Sequence, residues 1–167
     1  MSPRTLLVKP PFIPAREEEL VASLNSTHIG EQDVPGDSTP SANWPFVAPG
    51  KWGATNATSP KYAVSVEKIL AAESKHKILW IRGADDLVVS ESAASDPGFL
   101  GKAGLIPGWL GEEIFPPQPM LGQTRAVLEK YTAAGGSYQE VGSSDAGHLP
   151  FIEKPVEFNQ AFHKHIK

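Results

Sequence analysis

Two short stretches carry residue types that could do chemistry together. One reads GADDLVV over residues 83–89 and holds the adjacent carboxylates Asp85 and Asp86. The other reads SSDAGHLPFIEKPVEF over residues 143–158 and holds His148 between a glycine and a Leu-Pro pair. A carboxylate that accepts from imidazole Nδ1–H fixes the ring's tautomer and stabilises imidazolium. Nε2 is then the nitrogen that takes a proton from a nucleophile. Asp85 and Asp86 are both candidates for that carboxylate. The competing role for Asp86 is a turn or helix cap. The competing role for His148 is a loop histidine bonded to backbone. His28, His76, His163 and His165 read as solvated. His163 and His165 stand two apart, so on a helix they share no face and make a poor metal pair.

Such a pair needs elements to position it. KILWIRG, residues 77–83, is a continuous apolar run ended by glycine, as suits a strand buried on both faces of a parallel sheet. SYQEV, residues 137–141, reads as a second short strand. Before the first strand, Ser59 as cap and Pro60 at the first helical position introduce a stripe of Tyr62, Val66, Ile69 and Leu70. Between the strands, Met120, Thr124, Val127, Leu128 and Tyr131 form a second stripe, stopped by Gly135 and Gly136. After the second strand, Pro155 opens a helix with Phe158, Ala161, Phe162 and Ile166 on one face. The order helix, strand, helix, strand, helix predicts the α/β class with a parallel sheet. Asp86 and His148 then follow the carboxyl ends of the two strands, where such sheets gather their ligands and catalytic groups. Two parallel strands with bare edges are marginal alone, so the chain reads as part of something larger.

The rest of the chain is less regular. Pro14 at the first helical position and the segment AREEELVASL predict a short helix burying Leu20 and Leu24. Residues 26–60 are dense in Pro, Gly, Ser and Asn and read as irregular loop. They also hold Trp44, Phe46 and Trp52, which a disordered linker would lack, so this loop is expected to pack on something. Residues 95–119 are again rich in Gly and Pro and contain Trp109.

Composition narrows the chemistry. The chain has 167 residues, 40% hydrophobic and 20% charged, as a globular domain would. There is no cysteine, which removes disulfides, thiolate metal ligands and a cysteine nucleophile together. The net charge is −4 without a basic block, which argues against nucleic acid as partner. No apolar run approaches a membrane span and the start carries no signal-peptide core, so the expected setting is cytoplasmic.

The two motifs resemble the carboxyl-terminal portion of the α/β-hydrolase fold family. There the acid follows a late strand in a G-x-x-D pattern, matched by Gly83-Ala84-Asp85-Asp86, and the histidine sits in a GH-x-P loop before the last helix, matched by Gly147-His148-Leu149-Pro150. The resemblance covers about residues 64–94 and 120–167. It implies a cap- or lid-like segment over residues 1–59. Residues 60–167 would be the core portion, with 95–119 as an inserted loop. It implies Trp44, Phe46, Trp52 and Trp109 as candidates to line an acyl or alkyl pocket, although each could instead pack the cap onto the core. The implied activity is hydrolysis of an ester, lactone, epoxide or related bond in a small hydrophobic substrate, with no metal or organic cofactor. His148 would serve a serine nucleophile or, with an aspartate nucleophile, the hydrolytic water.

One part of the family pattern is missing. No G-x-S-x-G elbow occurs in the chain. Gly36-Asp37-Ser38-Thr39-Pro40 lacks a second glycine, and Ser143-Ser144-Asp145-Ala146-Gly147 lies in the histidine loop itself. The glycine-rich oxyanion loop is absent too. The expectation is therefore an Asp-His portion that is inactive alone, completed by an amino-terminal half or by a second copy. The alternative is a non-catalytic protein that binds a small hydrophobic ligand or a partner.

Overall fold

A computed structural model describes residues 6–62 and 65–167. It begins with helix α1 (Glu17–Asn25), followed by two small strand pairs, β1 (Ile29–Gly30) with β2 (Val34–Pro35) and β3 (Ser38–Pro40) with β4 (Val47–Pro49). Two short helices come next, α2 (Ala54–Ala57) and α3 (Val66–Leu70). Strand β5 (Lys77–Gly83) leads through α4 (Pro97–Lys102) and α5 (Met120–Ala133) to β6 (Ser137–Ser143), and α6 (Pro150–Glu153) and α7 (Pro155–His165) close the chain. The expected α/β alternation is present.

β5 and β6 pair in parallel over their full length, from Lys77 opposite Ser137 to Gly83 opposite Ser143. Side chains alternate across a strand. Ile78, Trp80 and Arg82 therefore share a face with Tyr138 and Glu140, while Leu79 and Ile81 share the other with Val141. Helix α5 covers the first face. Its Tyr131 hydroxyl donates to the His76 carbonyl at 2.7 Å, and its Arg125 reaches Glu140. Gly135, at φ +93°, ends α5, and Gly136 lies so close to the Tyr131 ring that a Cβ there would overlap it. Helix α7 lies over the second face, but loosely: Phe158 and Phe162 border an open cleft against Leu79 and Ile81.

The charged centre of the first face is a bridge between two arginines. Glu140 accepts from Arg125 Nε at 2.9 Å and Nη2 at 2.8 Å, and from Arg82 Nε at 2.6 Å. Both guanidinium groups lie within 6 Å of the Trp80 ring centroid, at 5.8 and 5.9 Å, inside cation–π range. This ties β5, β6 and α5 together where apolar packing is thin.

It is thin throughout. The chain exposes 11,222 Å². A folded monomer of 17.9 kDa exposes about 8,000 Å². Among the described residues no large side chain is fully buried, and Phe151 of α6, Phe162 of α7 and Ile166 just past α7 are exposed. No described backbone group pairs with the outer edge of either β5 or β6. No helix among the described residues is long and apolar enough to cross a membrane.

Two helices differ from expectation. α3 begins after Ser65, not after Ser59, and residues 63–64 lie outside the described residues. Ser59 caps nothing, and its hydroxyl is buried without a partner. Lys61 Nζ and the Tyr62 hydroxyl donate to the Gly50 carbonyl, which holds this turn against the end of β4 and takes Tyr62 out of the stripe. α1 begins after Arg16, so Pro14 is not its first residue, and nothing on it is fully buried. Leu20 is half-buried and Leu24 is exposed. The stripe borders an unfilled apolar cleft of about 210 Å³ shared with Leu7, Val8, Leu149 and Ile152.

The arginine bridge makes a testable contribution to acid stability. Hydrogen bonds from Arg125 and then Arg82 hold the Glu140 carboxyl down from 4.5 to about 2, against a burial effect that acts to raise it. A carboxyl depressed in the folded state adds stability that is present above its unfolded value and lost as pH falls through the folded one. Urea unfolding followed from pH 5 to pH 2 is expected to show a shallower loss of stability in Glu140→Gln than in the wild type. Equal slopes would contradict this.

Candidate functional site

The site forms where β5 and β6 end, because their hydrogen bonding continues into the loops. Past the last strand pair, Ala84 N–H donates to the Ser143 carbonyl at 2.8 Å and Asp85 N–H to the Ala146 carbonyl at 3.0 Å. The two loops therefore cross together instead of diverging. Gly83 permits the crossing. A Cβ on it would collide with the carbonyl oxygens of Ala146 and Gly147, which are backbone and cannot rotate away. Asp145, in the same loop, sits at φ +55°, a left-handed conformation that aspartate tolerates better than most residues.

This crossing brings together the two residues singled out from sequence. Asp86 Oδ2 stands 2.9 Å from His148 Nδ1. Asp86 is 8% exposed, and the His148 side chain retains 32% of its accessible surface. The other aspartate oxygen, Oδ1, accepts from Val88 N–H at 2.6 Å and Val89 N–H at 3.0 Å. The turn role and the pairing role of Asp86 are thus one arrangement. The loop's own amides grip one oxygen and aim the other at the imidazole. A carboxylate only accepts, so the bond places a proton on Nδ1, and in the neutral ring the lone pair is then on Nε2. Asp85 faces elsewhere, half-exposed, and its Oδ2 takes Lys9 Nζ at 3.0 Å.

Two residues of the site were not singled out from the sequence. Lys9 bridges the loops that follow both strands, since its Nζ also lies 2.6 Å from Asp145 Oδ1. Glu153 is buried beneath the histidine loop, where Oε1 accepts from Lys9 N–H at 2.7 Å and Oε2 from Gly147 N–H at 2.6 Å. Leu149 N–H also donates to the Leu7 carbonyl at 3.1 Å. Residues 7–9 therefore pack on the histidine loop, although they fall within the stretch expected to be cap-like. A glutamate five residues after the histidine was visible. Its backbone partner near the amino terminus was not.

The four aromatic candidates do not converge on this pair. Trp44 is buried, donates from Nε1 to the Pro107 carbonyl at 3.1 Å, and meets the Phe115 ring edge-on at 4.7 Å. Trp109 Nε1 donates to the Phe115 carbonyl at 2.9 Å, and its ring packs directly against Gly101. Trp44 fastens residues 41–46 to the 95–119 segment, and Trp109 packs within that segment, which folds around Asp96. Buried Asp96 caps α4 through the N–H groups of Gly98 and Phe99 and also accepts from Gln118 N–H. Phe46, 62% exposed, lines a cleft with Trp44, Leu110 and Ile114 that includes neither Asp86 nor His148. Trp52 is exposed beneath Lys51 and apart from that cleft. Packing is the role the structure gives Trp44 and Trp109.

Neither echo of a nucleophile elbow acts as one. Ser38 lies in β3 opposite Pro49, and Ser143 is buried at the last pair of β6. Among the described residues no hydroxyl is hydrogen-bonded to His148. No group of three or more His, Asp or Glu side chains among them could hold a metal ion. No family model, no curated protein and no solved structure matches the chain.

Gly83→Ala tests how tightly the crossing is built. Overpacking against fixed backbone is expected to lower stability by roughly 1–3 kcal/mol in urea unfolding. It should also abolish the downfield Nδ1–H proton resonance that a carboxylate-bonded His148 gives. Wild-type stability together with an unchanged resonance would show that the crossing has slack.

Proposed function

We propose that Asp86 and His148 are the acid and base of a hydrolase of the α/β-hydrolase type. They would act on an ester, lactone, epoxide or related bond of a small hydrophobic substrate. The observation that carries this reading is the 2.9 Å bond between Asp86 Oδ2 and His148 Nδ1 at the carboxyl ends of two parallel strands. In this mechanism Nε2 takes the proton of the attacking group, and Asp86 stabilises the imidazolium that results. The partly exposed imidazole suits this role, because its free nitrogen must meet a reacting group.

The attacking group comes from outside the described residues, on an amino-terminal half that also completes the sheet. The bare edges of β5 and β6 and the excess exposed surface support this part of the proposal. A second reading, a non-catalytic protein that binds a small hydrophobic ligand, draws on one observation. The cleft under α1 is almost wholly apolar, and Leu149, the neighbour of His148, lines it.

Hydrolysis of short- and medium-chain nitrophenyl esters separates these readings. The chain alone is expected to give negligible turnover, and the chain mixed with a separately expressed amino-terminal half bearing a G-x-S-x-G serine to give measurable turnover. His148→Ala should remove that activity, and Asp86→Asn should reduce it by about 10⁴-fold. Turnover in the mixture that ignores both substitutions would overturn the acid–base assignment. Turnover by the chain alone that His148→Ala abolishes would overturn the external nucleophile.

A further inference from the structure

The geometry points to Glu153 as the positioning residue of the histidine loop, acting through a backbone strap formed by residues 7–9. The inference rests on the acid–base reading of His148 but adds a component outside the Asp-His pair. Glu153 is buried, yet among the described residues no cation pairs with it. Its two oxygens are consumed by two backbone N–H groups, one on each side of it. One belongs to Gly147, the residue before His148, and the other to Lys9, 144 positions away from Glu153. A carboxylate is the side chain that can accept on both oxygens at once. A glutamine would present an amide donor to one of the two N–H groups and leave it unpaired.

The surrounding contacts make the strap and the loop one unit. Leu149 N–H donates to the Leu7 carbonyl, so His148 is held on both sides, through Gly147 and through Leu149. Gly147 is the residue that lets the strap pass this close. A Cβ there would stand 3.0 Å from Lys9 N and 3.1 Å from the Val8 carbonyl carbon. On the other side of the loop, the Gly147 carbonyl oxygen lies against Gly83. The histidine loop is thus pressed between the end of β5 and the strap, and among the described residues Glu153 is the only side chain that bonds the backbone of both the loop and the strap. Its role is to hold the imidazole at bonding distance from Asp86, without touching a reacting atom.

The test reads the His148 Nδ1–H proton resonance by NMR in the full chain, with thermal unfolding recorded alongside. Asp86→Asn serves as the reference for a broken pair and should lose the resonance. Glu153→Gln is expected to lose it as well while the chain stays folded. A second variant guards against loss of folding in Glu153→Gln. Lys9→Pro removes the N–H donor to Glu153 from a position remote in sequence and should also lose the resonance. Lys9→Met, which removes only the ammonium, should keep it. A resonance at its wild-type position in folded Glu153→Gln, or in Lys9→Pro, overturns the positioning role and leaves the acid–base reading intact. A resonance that survives Asp86→Asn overturns the pairing itself, and the positioning role with it.

Discussion

The site depends on one constraint, which is that the ladder between β5 and β6 does not stop at the end of the sheet. Two further backbone hydrogen bonds, Ala84 to Ser143 and Asp85 to Ala146, carry the parallel register into the loops. Parallel strands end on the same side of the sheet, so residues just beyond them share a neighbourhood. Sharing a neighbourhood still leaves several ångströms of freedom. The continued ladder removes it, and Gly83 makes the continuation sterically possible. Asp86, gripped by the amides of Val88 and Val89, then has one oxygen left to offer, and that oxygen meets His148.

Local order around the pair contrasts with sparse packing elsewhere. The pair is surrounded by short polar bonds that involve Glu153, Lys9 and the loop amides. The sheet beneath is held on one face by the Glu140 bridge and covered only loosely on the other by α7. Hydrophobic burial supplies most of the favourable free energy of folding, so a chain that leaves this much apolar surface in water gains little from it. In the proposed hydrolase, one added layer against β5 buries apolar surface and brings the nucleophile to Nε2.

The legible parts of the sequence were those with strong local signals. The apolar run from Ile78 to Ile81, the glycines that stop α5 and the proline that opens α7 each act within a few residues of themselves. The choice of Asp86 over Asp85 came from the G-x-x-D pattern of the family the chain resembles, and in the structure the turn after β5 grips Asp86 and turns it toward His148. Helix boundaries set by remote contacts were not legible. Nothing near Ser59 reveals that Lys61 and Tyr62 reach back to Gly50 and interrupt a regular stripe. Aromatic character alone could not show that Trp44 ties two segments together while Trp109 packs within one of them.

By itself, the sequence determined the α/β order, the two strands and the identity of the Asp-His pair, because periodicity, turn chemistry and residue type are local properties. Only the tertiary structure decided that residues 7–9 belong to the histidine loop and that Glu153 joins them. It also decided that the four aromatic candidates stand away from the pair. These outcomes rest on backbone groups, which every residue carries alike. A backbone N–H leaves no mark in the sequence to show which distant carboxylate it will meet, and only the folded chain brings Lys9 and Gly147 to opposite oxygens of one buried side chain.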